Sequence, residues 1–181
     1  CAYIKNNGNQ IITTDAIVED THFKLNLFSL EDVGWKCIAI NQSDIASMGA
    51  KPEFYNITLG LPSSFNEAQL RMLLNGIKLA TNEYGGFLIG GDIVKSEKLI
   101  ISITAIGYLS SQKKPMTRSK AKPGEYIGVT GNLGNSLAAR MINEGVNNPF
   151  SEFHLRPKPK ISEGLYFYNN GINCCMDISD G

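Results

Sequence analysis

Four aspartate-bearing motifs, each set against an apolar strand-like or helix-like segment, constrain this chain more than any other feature. They are Thr13-Thr14-Asp15, Asn41-Gln42-Ser43-Asp44, Gly90-Gly91-Asp92 and Asp177-Ile178-Ser179-Asp180. Carboxylates gathered from element ends repel one another and need a cation. Hard oxygen donors of this kind suit magnesium, which commonly arrives with a phosphate. Phosphate chemistry is therefore the first expectation. A formal net charge of zero gives no bulk positive field to recruit nucleic acid or an anionic membrane.

The motifs are separated by readable elements. Residues 11–18 predict a strand ending near Asp15 to Glu19. Ser29 opens a helix, with Asp32 three residues on completing an acidic capping box. Val33, Cys37, Ile40 and Met48 fall on one helical stripe, and Asp44 falls in the middle of it. A carboxylate aimed inward must find a partner, because burying it bare is costly. Residues 54–61 alternate as a strand, with Tyr55, Ile57, Leu59 and Leu61 on one face. Ser64 and Glu67 read as a second capping box for a helix that runs to Tyr84 and stops at Gly85-Gly86. Phe87 to Ile89 read as a short buried strand feeding a tight Gly90-Gly91-Asp92 turn. Residues 98–109, apolar at nearly every position, read as the longest strand, covered on both faces.

From Ser110 to Gly124 the chain turns polar and basic, with Pro115 and Pro123. The expected organisation is a first domain over 1–112, a linker over 113–123 and the start of a second domain over 124–181. The lysines and arginine at 113, 114, 118, 120 and 122 fit either a solvated loop or an anion-handling segment. In the second part, strands are expected at 126–130 and 173–177, and helices from Leu133 to Asn143 and after Pro159. Pro149 and Pro157 bracket an irregular link. Without simple crossover spacing between the strands, a mixed α/β sheet is expected rather than an all-parallel one. The four cysteines, Cys1, Cys37, Cys174 and Cys175, form no Cys-x-x-Cys pair, which favours a reducing, cytoplasmic setting over a disulfide framework. No apolar run is long enough to span a bilayer. The chain opens on Cys1 inside a strand-like run and stops after Asp180 at a turn, so it is expected to be part of a longer protein.

Read singly, each acidic motif has a plain structural alternative. Asp15 could cap a strand end, Asp44 could be satisfied by a lysine or backbone amides, and the other two could be ordinary turns. Thr13 and Asp15 share a face of an extended chain, which puts several oxygens within reach of one cation. His22 lies seven residues past Asp15, close enough to serve the same site or to be an exposed loop histidine. No Gly-x-x-x-x-Gly-Lys loop and no protein-kinase signature is present. Gly131-Asn132-Leu133-Gly134 lacks the full dinucleotide fingerprint and reads as a plain helix start.

Taken together, the motifs resemble the thiamine-monophosphate kinases. The resemblance is carried by Thr13-Thr14-Asp15-Ala16-Ile17-Val18-Glu19-Asp20-Thr21-His22-Phe23 and by Ala39 to Pro52 around Asn41-Gln42-Ser43-Asp44. Gly90-Gly91-Asp92, Thr117-Arg118-Ser119, Val129-Thr130-Gly131, His154-Leu155-Arg156-Pro157-Lys158-Pro159 and Asp177-Ile178-Ser179-Asp180-Gly181 follow in the family's order. The resemblance implies an aminoimidazole ribonucleotide synthetase-like amino-terminal domain, dimerising through its sheet, followed by a second α/β domain. It implies transfer of the γ-phosphoryl of ATP directly onto thiamine monophosphate, giving thiamine diphosphate, with several magnesium ions between the domains. Thr13, Thr14, Asp15, Asp44, Asp92, Asp177 and Asp180 are implied magnesium ligands. Gly91, Asp92, Arg118 and Ser179 are implied ATP contacts, and His22 a contact of the thiamine phosphate. Asp44, Asp92 and Arg118 would carry catalysis, since phosphoryl transfer needs charge neutralisation and in-line positioning more than covalent help.

The chain departs from the family's pattern in places. Asp20 stands where Gly is common, and Ile93 where Thr is common. A Gly-Asp-Asp segment expected before Cys1, and substrate-pocket residues expected after Gly181, are absent, so this stretch alone is expected not to turn over. The neighbouring readings are a selenophosphate synthetase-like or purine-pathway synthetase of the same superfamily, or a noncatalytic nucleotide- or magnesium-binding module. Glu19-Asp20-Thr21-His22-Phe23 and the 154–159 stretch favour the thiamine branch.

Overall fold

A computed structural model describes residues 2–5, 9–110, 113–142 and 148–179. In chain order the elements are β1 (Ala2–Lys5), β2 (Asn9–Val18), α1 (Leu30–Ser47), β3 (Ala50–Leu61), α2 (Glu67–Tyr84), β4 (Phe87–Lys95) and β5 (Ile100–Leu109). A 3₁₀ turn at Arg118–Lys120 follows, then α3 (Asn135–Met141), α4 (Ser151–Leu155) and α5 (Ile161–Asn169). The strands make one sheet in the order β1-β2-β5-β3-β4. Only β3 and β4 run parallel; β5 is antiparallel to both β2 and β3. The expected mixed α/β sheet is therefore present.

Alternation decides which face is covered. Ile11, Thr13 and Ile17 of β2, Tyr55, Ile57 and Leu59 of β3, and Ile101, Ile103 and Ala105 of β5 are all buried. They pack with α1 and α2 into one core. The opposite face, carrying Thr14, Ala16, Asn56 and Thr58, is exposed. So β5 is not covered on both sides: every second residue of it is half-buried. Nor is it the longest strand, because β3 begins at Ala50, where a bulge between Pro52 and Phe54 absorbs the proline.

Helix α1 starts as its sequence dictates. The Asp32 N–H donates to Ser29 Oγ (3.1 Å) and the Ser29 N–H donates to Asp32 Oδ2 (3.2 Å). Helix α2 starts two residues later than expected, because Asn66 and Gln69 form the reciprocal pair in place of Ser64 and Glu67. Both candidate pairs have the same spacing, and the asparagine side chain wins the cap. The two helices touch backbone to backbone. A Cβ on Gly34 would lie 2.2 Å from the Leu73 carbonyl oxygen, and one on Gly76 would lie 2.0 Å from that of Glu31.

Three expected strands differ. The buried strand at Phe87 to Ile89 is the start of nine-residue β4, exposed along its whole length; Phe87 is 70% exposed. It is the outermost strand, and the helices that cover the rest of the sheet do not pack over it, so its apolar side chains stay in solvent. No strand forms at 126–130 or 173–177. A strand needs a neighbouring strand to take its N–H and C=O groups in a ladder, and neither run pairs with one among the described residues. The link between Pro149 and Pro157 contains the short helix α4.

The later residues are clamped onto α1. The Trp35 indole N–H donates to the Pro157 carbonyl (2.9 Å), and the Arg156 Nε donates to Asp32 Oδ1. The Arg156 guanidinium also lies 5.9 Å from the centre of the Trp35 ring. Burial alone would raise the Asp32 carboxyl, but hydrogen bonds from Ser29 and Arg156 hold it below its usual value. On the other side of α1, α5 comes so near that a Cβ on Gly164 would sit 2.3 Å from the Ala46 carbonyl oxygen. Gly76→Ala should lower stability by about 2–3 kcal/mol through overpacking at the α1–α2 contact. A urea titration should show this as a lower midpoint with an unchanged slope; an unchanged midpoint would mean the helices separate freely.

Candidate functional site

The acidic motifs do not all converge within one chain. Thr13 and Asp15 lie two residues apart on the helix-covered face of β2. Asp44 comes down from α1 to meet them, and the Thr13 hydroxyl donates to Asp44 Oδ2. Thr13 is 6% exposed and Asp15 and Asp44 are half-buried. This answers the question raised by Asp44's inward phase: a buried hydroxyl on the neighbouring strand supplies the partner. Thr14 points to the other face, where its hydroxyl shares a hydrogen bond with Thr104 (2.9 Å).

Asp92 stands apart. The glycines before it lie inside β4 rather than in a turn, and Gly91 is needed because a Cβ there would meet the Ile57 carbonyl oxygen at 2.3 Å. Asp92 is in register with Thr58, and its Oδ1 accepts from the Ile93 N–H (2.9 Å). Strands β5 and β3 separate β4 from β2. Three strand spacings put β4 about 14 Å from β2, beyond the reach of a single ion held by Asp15.

His22 folds back on the end of β2. Its Nδ1 accepts the Val18 N–H at 3.1 Å. In the neutral ring this leaves Nε2 as an outward N–H donor. The loop is held by Asp20, the only described non-glycine residue with positive φ, at 64°. That backbone explains why glycine suits this position. Asp20 also pairs with Lys98 (3.0 Å), and its neighbour Glu19 accepts the Leu99 N–H (3.1 Å).

Arg118 sits in the 3₁₀ turn, exposed. The 173–175 run lies alongside it: the Thr117 N–H donates to the Asn173 carbonyl (3.0 Å) and the Cys174 thiol to the Arg118 carbonyl (3.6 Å). Two and four residues past Cys175, the chain carries half-buried Asp177 and exposed Ser179. Asp180 lies outside the described residues.

Among the described residues, no three His, Cys, Asp or Glu side chains converge closely enough to hold a metal by themselves. The Thr13–Asp15–Asp44 group nonetheless offers only hard oxygen donors. Two carboxylates with phosphate oxygens completing the shell are a donor set that fits magnesium.

Reading the sequence missed what the rest of the second motif does. Asn41 and Gln42 are fully buried; Asn41 donates to the Cys37 carbonyl (2.9 Å) and Gln42 to the Tyr55 hydroxyl (2.9 Å). Their side-chain oxygens, Asn41 Oδ1 and Gln42 Oε1, have no partner. It also missed Lys36, a lysine among the apolar positions of α1, which was the available signal.

Residues 1–109 match the family described as AIR synthase related protein, N-terminal domain. The chain belongs to that family. It is 36% identical over 98% of its length to the thiamine-monophosphate kinase of Bacillus subtilis, of which it covers 57%. The crystal structure of thiamine monophosphate kinase from Aquifex aeolicus superposes with a TM-score of 0.87 at 32% identity, over 95% of this chain and 59% of that one. A structure described as AaThiL complexed with AMPPCP and TMP superposes with a TM-score of 0.90 at 31% identity, over 99% of this chain and 59% of that one. The chain thus spans little more than half the length of the AIR synthase-related proteins it matches.

The strained turn gives a stability test. Asp20→Gly removes the left-handed cost and an exposed ion pair together, so it should shift stability by less than about 1 kcal/mol. Asp20→Val should cost about 1–2 kcal/mol more. Thermal unfolding separates the two; equal melting temperatures would mean that the turn relaxes without strain.

Proposed function

We propose that this chain forms the amino-terminal part of an enzyme that transfers the γ-phosphoryl of ATP to thiamine monophosphate, yielding thiamine diphosphate. The observation that carries this reading is the Thr13–Asp15–Asp44 group between β2 and α1, with His22 in the loop that follows β2, in a fold that matches a structure complexed with AMPPCP and TMP. In this reading Asp15 and Asp44, with Thr13, hold magnesium, and Asp177 and Asp180 add ligands from the far end; the Thr14 hydroxyl, turned to the other face of the sheet against Thr104, does not join them. Bound magnesium neutralises phosphate oxygens and draws off charge that develops in transfer. The Nε2–H of His22 donates to the phosphate of thiamine monophosphate. Arg118, a planar fork of donors, and Ser179 meet ATP phosphates from the 117–118 and 173–179 runs.

Gly91 and Asp92 serve the nucleotide from the sheet edge. Strand β4 is exposed throughout, with Ile89 at 60% and Ile93 at 56%. An exposed apolar edge of this length is a template for pairing. We assign it to a second copy of the chain, so that Asp92 acts at a seam between protomers rather than on the ion held by Asp15. The family match ends at residue 109, which supports a first domain over 1–112 and a linker over 113–123. No helix among the described residues is long and apolar enough to cross a membrane, which accords with a cytoplasmic enzyme.

Asp44→Asn in the intact protein should reduce ADP formation that depends on thiamine monophosphate by about 100-fold or more, with the circular dichroism spectrum unchanged. Wild-type turnover would remove Asp44 from the site. His22→Ala should raise KM for thiamine monophosphate about tenfold and leave KM for ATP in place, as expected for one hydrogen bond to a charged group. A matching rise in both constants would deny His22 a role at the acceptor.

A further inference from the structure

We propose that Lys36, Arg140 and His154, with Ser136, form a binding site for a phosphoryl anion where α1 meets the α3–α4 segment. The site is separate from the acidic group: Lys36 and Asp44 are eight residues apart on α1, about 12 Å along its axis. It draws on His154, a residue of the 154–159 motif to which the proposed phosphotransfer assigns no role.

The geometry is set by Phe28. The Lys36 Nζ lies 4.9 Å from the centre of the Phe28 ring, and the His154 ring meets the same ring edge to face at 5.3 Å. Ser136 Oγ lies 2.9 Å from His154 Nδ1, which brings the start of α3 into the group, and Arg140 follows Ser136 by one turn on the same face of that helix. Lys36 is half-buried, and burial, with repulsion from Arg140, lowers its ammonium to about 8. Burial, then Lys36 and Arg140, lower the His154 imidazole to about 4. At neutral pH the cluster therefore holds two cations beside a neutral imidazole.

No described carboxylate answers them. Glu31 and Asp32 are taken by Arg156, and Glu152 by Lys158 (2.7 Å). Like charges brought together on partly desolvated ground are unfavourable, and an anion between them reverses the sign. Two cations and two neutral hydrogen-bonding groups match a phosphoryl dianion better than a carboxylate, which has one charge and two oxygens.

The test follows the His154 imidazole by NMR in the intact protein while inorganic phosphate is added. EDTA is present, so that the acidic group binds no metal–phosphate complex. Saturable binding should raise the His154 pKa by about one unit or more. Lys36→Gln and Arg140→Gln should each weaken the apparent affinity about tenfold or more, and Lys36→Arg should preserve it. Acetate at equal ionic strength should give no saturable shift. A flat His154 titration, an undiminished response in both glutamine variants, or an equal response to acetate would overturn the proposal. Should Lys36→Gln fail to fold, Arg140→Gln, which alters an exposed side chain, carries the decision.

Discussion

The contact of two helix backbones at Gly34 and Gly76 fixes where α1 can lie, and most of the remaining structure answers to that placement. Held against α2 on one side, α1 packs on the sheet with another face and meets α5 and the 156–157 clamp with what is left. A helix enclosed in this way leaves none of its side chains fully exposed to water. Asn41 and Gln42 are drawn into the core, Asp44 to Thr13, and Asp32 to Arg156. The chemistry attributed to this chain begins with that enforced pairing, because the same packing that buries Thr13 also brings Asp44 to the strand bearing Asp15.

Features governed by local rules were legible in the sequence. Ser29 and Asp32 announced the start of α1, the alternation at Tyr55, Ile57 and Leu59 announced the buried face of β3, and Gly85 ended α2. The inward phase of Asp44 was readable too, since helical periodicity places a residue without knowledge of its neighbours. What failed depended on neighbours. The apolar sequence Phe87-Leu88-Ile89 looks the same whether a strand is central or at the edge, and only the sheet order shows that β4 is outermost. Apolar runs at 126–130 and 173–177 suggest strands equally well, but a ladder partner is a property of the fold. The shift of the α2 cap from Ser64 to Asn66 is a narrower failure, a competition between two side chains with equal spacing.

The candidate site was legible as a set of residue types and much less as a geometry. Thr13, Asp15 and Asp44 come together, whereas Asp92 stands on the far side of two intervening strands. Its place in the motif series gave no hint of that distance, because consecutive elements in a mixed sheet need not be neighbours. The resemblance of the 154–159 stretch to a family pattern said nothing of what it does. Its arginine and the proline carbonyl that follows turn out to grip the first turns of α1.

That grip ties together parts of the chain that are made at different times. The Trp35 indole reaches a carbonyl 122 residues later, and Asp32 a guanidinium 124 residues later. During synthesis the amino-terminal sheet and its two helices must wait, with the start of α1 unsealed, until residue 157 has left the ribosome. Contacts of such long sequence separation slow the final step of folding. The nascent chain therefore passes through a stage in which the Trp35 indole N–H and the Asp32 carboxylate lack these partners, and partly assembled chains of this kind are open to chaperones and proteases.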